Sequence, residues 1–122
     1  MFKFDPNPTF WWPIKVRVPS ALVPGQYDTQ EFRALFRLRG TADIEAVARA
    51  IADLPEAERY AATLTDTSST IIDWADVVDG DGRAVPFSAA QLRALLDHPA
   101  VMRAVQVAWA EAVYGGGAAR KN

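Results

Sequence analysis

The run Phe10-Trp11-Trp12-Pro13-Ile14-Lys15-Val16-Arg17-Val18 constrains this chain more than any other segment. Successive side chains of a strand point to opposite faces. As a strand, the run places Phe10, Trp12, Ile14, Val16 and Val18 on one face and Trp11, Lys15 and Arg17 on the other. The first face needs a core behind it, and the second meets solvent or a partner. The alternation returns in Phe32-Arg33-Ala34-Leu35-Phe36-Arg37-Leu38-Arg39. Here Phe32, Ala34, Phe36 and Leu38 point inward, and Arg33, Arg37 and Arg39 point outward. Pro19, Pro24 and Gly25 make residues 19–30 a long connecting loop. The two runs therefore predict an antiparallel pair. Pro13 cannot donate to a ladder, so the first strand lies at an edge or begins after it.

Beyond Arg39 the apolar period changes to 3.6. Ile44, Val47, Ala48, Ile51 and Leu54 form a helical stripe, with Thr41 as N-cap and Asp43 and Glu45 at the positive end. Pro55 closes that helix and opens another, Asp53 and Glu56 having capping-box spacing. Tyr60, Leu64, Ile71, Ala75 and Val78 fit one face. Thr65-Asp66-Thr67-Ser68-Ser69-Thr70 is a poor helix interior, which predicts a break there and a fresh helix over 69–78. After the turn at Asp79-Gly80-Asp81-Gly82, Ser88 and Gln91 form a capping box and Phe87 and Leu92 a hydrophobic staple. That helix carries Leu92, Leu95 and Leu96. His98-Pro99 starts a last helix with Val101, Met102, Val105, Ala108, Trp109 and Ala112 inward.

The expected fold is α+β: an N-terminal antiparallel sheet of two or more strands on about four helices. Residues 1–114 form one domain, and 115–122 a flexible Gly/Ala-rich tail. With 122 residues, half of them hydrophobic, the chain suits one ordinary domain. The net charge of −2 argues against nucleic acid. The N-terminus lacks a signal-peptide pattern, and no run approaches a membrane span. The expectation is a cytoplasmic protein without membrane contact.

No catalytic, cofactor or metal site is expected. Cysteine is absent, which removes thiolate ligands. Asp79-Gly80-Asp81-Gly82 fails the calcium-loop spacing, since its fifth, sixth and twelfth positions are Arg83, Ala84 and Ala90. His98, the single histidine, marks a helix boundary. Ser88 is explained as a cap, and Ser68 and Ser69 lie outside any Gly-x-Ser-x-Gly setting. The glycines at 115–117 follow a helix and lack the Lys-Ser/Thr of a phosphate loop. What remains is the outer strand face. Trp11 beside Lys15, Arg17, Arg33, Arg37 and Arg39 has the make-up of a protein-recognition anchor. Tyr114, ending the last helix, is a second candidate.

The order of these signposts resembles the tail assembly chaperones of long-tailed bacteriophages. The residues that carry the resemblance are Phe10-x-Trp12-Pro13-Ile14-Lys15-Val16 with Pro19, then Phe32 and Phe36. Trp74 precedes Val77-Val78-Asp79 and Gly82. Pro86-Phe87-Ser88 leads to Leu92, Leu95-Leu96 and Pro99, and the chain ends in Arg120-Lys121-Asn122. The resemblance implies a non-enzymatic protein of the infected host's cytoplasm, absent from the mature virion. It implies that the protein binds the tape measure protein, keeps it soluble and assists tail tube assembly, with the tail tube protein and further copies of itself as other partners. A longer frameshifted form is a further implication. The alternatives are a structural tail-completion or connector protein and, from another class, a small ligand-binding protein or enzyme.

Overall fold

The computed structural model describes residues 1–115. Its elements are β1 (Thr9–Pro19), β2 (Tyr27–Arg37), α1 (Thr41–Ala52), α2 (Glu56–Ser68), β3 (Ile71–Ala75), α3 (Ala89–Leu96) and α4 (Pro99–Tyr114). The strands form one antiparallel sheet in the order β1-β2-β3. The fold is therefore the α+β arrangement expected, an N-terminal sheet with four helices.

The β1–β2 pair has its expected faces. Ile14, Val16, Phe32, Ala34 and Phe36 are buried, and Phe10, Trp12 and Val18 pack at the margin of the same core. Phe10 stacks on Phe36 and both meet Trp109 of α4. β1 is an edge strand, where Pro13 is tolerated. The loop is shorter than expected, because β2 begins at Tyr27. Ser20 Oγ accepts from the N–H groups of Leu22 and Val23, and Gly25 takes φ 80°, which closes the connection in few residues. At the other end β2 stops at Arg37. Leu38 is consequently exposed rather than inward, with its N–H donating to the Pro8 carbonyl.

The third strand was not expected. Ile71–Ala75 replaces the helix predicted over 69–78. The ladder shifts register between Leu35 and Phe36, which pair with Asp73 and Ile71, so Ile72 is an extra bulge residue. The bulge lets Ile71 and Trp74, three residues apart, both face the core. A strand with such a bulge carries a spacing that alternation does not reveal and a helix period imitates. The Thr/Ser-rich run before it ends α2 instead of breaking it earlier. The hydroxyls of Ser68, Ser69 and Thr70 donate to the carbonyls of Thr65, Asp66 and Thr67.

Two further expectations at helix ends fail. The N-cap of α1 is Gly40, with Thr41 the first helical residue, and Asp53 is the C-cap of α1 with no capping role toward α2. The Arg59 guanidinium instead donates to the Leu54 and Ala52 carbonyls, satisfying acceptors at the end of α1. The cap at Ser88 forms as expected, by the serine half of the box. Its Oγ accepts from the Gln91 N–H at 3.1 Å, Leu92 is buried, and Phe87 meets Trp74 edge-on. Ser88→Ala should therefore cost about 1 kcal/mol in a urea melt; a wild-type midpoint would show that the cap contributes nothing.

The helices cover the inner face. α4 lies along β1, α3 contacts α2 and α4, and α1 contacts α2. Leu64, Leu92, Leu96, Val101, Met102, Val105 and Ala108 complete the core, to which α1 gives no buried residue. α4 ends at Gly115, whose φ of 61° makes it a left-handed cap. The expected flexible tail falls, from residue 116 onward, outside the described residues.

Candidate functional site

The outer face of the sheet is where the predicted partner residues meet. Odd-numbered residues of β1 face odd-numbered residues of β2: Trp11 opposite Leu35, Pro13 opposite Arg33, Lys15 opposite Glu31 and Arg17 opposite Thr29. On this face Trp11 is 46% exposed, and Lys15, Arg17 and Arg33 are exposed, with Lys15 and Arg17 bordering α4 at the β1 edge. The Arg33 guanidinium sits 5.8 Å from the Trp11 ring centroid, and that of Arg17 sits 4.4 Å from the Tyr27 ring. Such placements hold cation and ring together by the ring's quadrupole. Arg33 also pairs with Asp76 at 2.9 Å. Asp76 has φ 69°, a left-handed conformation that aspartate tolerates better than most side chains.

The face is less uniformly basic than the strand pattern predicted, because Glu31, Asp73 and Asp76 stand among its cations. Arg37 is half-buried and tied down. Its Nε donates to the Ser69 carbonyl at 2.8 Å, anchoring β2 to the α2–β3 junction. Arg39 does not belong to the face at all. With β2 ended at Arg37, alternation no longer orients it, and its side chain is 6% exposed between Asp43 and Asp66, at 2.8 and 2.9 Å. Tyr114 is exposed on the last turn of α4, on a helix, whereas the other candidates lie on β1 and β2 or just after them.

Burial alone would lower the Arg39 pKa, but hydrogen bonds to Asp43 and Asp66 outweigh it and leave the pKa raised. The hydrogen bond from Arg39 holds the Asp43 carboxyl below its ordinary range. Folded protein thus binds fewer protons at Asp43 than unfolded chain does. The resulting stability is present above the ordinary aspartate pKa and fades as pH falls through the lowered folded value. Arg39→Ala should cost about 1–3 kcal/mol at neutral pH by stranding the half-buried Asp66 carboxylate. In urea melts the gap between wild type and variant should narrow with acidification below about pH 4. A gap independent of pH would show that packing of the arginine stem carries the effect.

Sequence reasoning missed three residues of the outer face. Tyr27 lay in a stretch read as loop, although Tyr27-Asp28-Thr29 has strand-forming residues at alternate positions. Ile72, 45% exposed, belongs to the unexpected strand. Leu35 is half-buried between Trp11 and Asp73 and was passed over beside its charged neighbours.

The Asp79 turn is built from its own backbone. Asp79 Oδ1 accepts from the N–H groups of Asp81 and Arg83 at 2.8 and 3.0 Å. Among the described residues no group of three or more His, Cys, Asp or Glu is placed to hold a metal ion, and no helix is long and apolar enough to cross a membrane.

Together these features define a small α+β protein with one sheet face exposed. Comparison with family models, curated proteins and solved structures gives no match.

Proposed function

We propose that this protein is a tail assembly chaperone of a long-tailed bacteriophage, acting in the host cytoplasm without enzymatic chemistry. Its client is the tape measure protein, which it keeps soluble while the tail tube protein polymerises. The observation that carries the reading is the open outer face of the sheet. There a half-exposed Trp11 lies beside Arg33, Lys15 and Arg17, with Leu35 and Ile72 as further apolar surface. Aromatic and arginine side chains are the groups most enriched at energetic centres of protein interfaces. The signpost order through Trp12-Pro13, Trp74 and Phe87-Ser88 supports the same reading by resemblance.

The test is co-expression with the tape measure protein of the same phage. The chain should hold that client in the soluble fraction and co-purify with it. Trp11→Ala should leave the thermal melt nearly unchanged and weaken co-purification by about tenfold or more. A client equally soluble without this chain would refute the chaperone reading. Purified virions provide the contrast with the structural alternative: a chaperone is missing from them, whereas a completion or connector subunit is retained.

A further inference from the structure

The free edge of β1 and the outward side of α4 form a second surface, which adjoins the sheet face at Lys15 and Arg17. Two adjoining open grooves of about 540 and 320 Å³ run between them. Trp12 and Pro13 share the first with Ala108 and Glu111, and Arg17 shares the second with Ala100 and Arg103. Lys15, Ala104 and Val107 border both. α4 therefore runs antiparallel to β1, with Val107 level with Lys15.

Along this side of α4, Arg103 lies one turn before Val107 and Glu111 one turn after it. Val107 is 48% exposed, and Arg103 and Glu111 are exposed, neither in an ion pair among the described residues. Ala104 and Ala110, three residues to either side of Val107, are small enough to let another helix approach closely. The pattern is self-complementary. Two such helices crossing antiparallel at Val107 place each Arg103 opposite the other's Glu111, twice. A parallel crossing would stack like charges.

We infer that a second copy of this chain covers this face, α4 against α4 about a twofold axis at Val107. Twofold interfaces bury the same patch on both subunits, and a charge pattern symmetric about one apolar residue meets that condition. Lys15 borders the same grooves level with Val107, on the strand side of the helix pair. The inference specifies a surface for self-association and does not rest on the chaperone reading, which centres on Trp11, although the two surfaces share Lys15 and Arg17 at the β1 edge.

Sedimentation equilibrium on the full chain at about 100 μM tests it, dimer being expected for wild type. Arg103→Glu and Glu111→Arg, each alone, should raise the dimer Kd by more than about tenfold, since each turns two attractions into two repulsions. The double variant Arg103→Glu/Glu111→Arg should regain wild-type affinity, which a merely damaged fold would not. Val107→Asp should be monomeric with an unchanged circular dichroism spectrum. A monomeric wild type, or a dimer indifferent to the single reversals, would overturn the proposal. Loss of client capture by a monomeric Val107→Asp, with wild type also monomeric, would assign the face to the client instead.

Discussion

Phe36→Ala is expected to destabilise the domain by about 3–5 kcal/mol, the usual range for emptying a large aromatic site in a core. Phe36 is fully buried on the central strand. It stacks on Phe10 of β1 at a centroid distance of 5.5 Å and meets Trp109 of α4 at 5.6 Å. Removing the ring therefore unsupports the edge strand and the longest helix together, and little of the cavity can close. Leu35→Ala, one residue away on the outer face, should lose much less. Equilibrium urea melts compare the two. Equal losses would mean that the strand does not separate core from partner face, and the outer surface assigned to Trp11 would have to be redrawn.

Trp74→Ala should be of similar size, about 3–5 kcal/mol. The indole of Trp74 is buried, its Nε1–H donates to the Val85 carbonyl at 2.8 Å, and its ring meets Phe87 edge-on. It thus links β3 to the segment that leads into α3. Trp74→Phe separates the contributions: it keeps most of the ring and removes the donor. That change alone should cost about 1–3 kcal/mol, since it leaves the Val85 carbonyl without its partner. A Phe variant as stable as wild type would mean that water satisfies that carbonyl. An Ala variant within about 1 kcal/mol of wild type would show that β3 is not an integral part of the sheet.

Trp12 shows where strand periodicity stops being quantitative. It lies on the inner face as expected, yet at the edge of the sheet, where α4 covers it only in part. Truncating it should accordingly cost less than truncating Phe36. Alternation gives a side chain's direction. Depth depends on how many layers lie beyond it, and that is set by the neighbouring helix.

The features legible in the residues are those carried by local chemistry. Polar and apolar residues alternating along β1, and along β2 from Phe32 onward, could bury one face in only one way. The Ser88 cap and the stripe of α4 were equally plain, because capping and helical spacing act within a turn or two. Tertiary structure alone decided the rest. β3 forms because β2 offers an unpaired edge and a bulge at Ile72 absorbs the mismatch, and no segment encodes its partner's vacancy. Arg39 leaves the basic face because the chain turns after Arg37 and brings Asp66, distant in sequence, within 2.9 Å. The outer face stays open because all of the helices that build the core lie on the other side of the sheet, and that choice of side belongs to the packing of the whole chain.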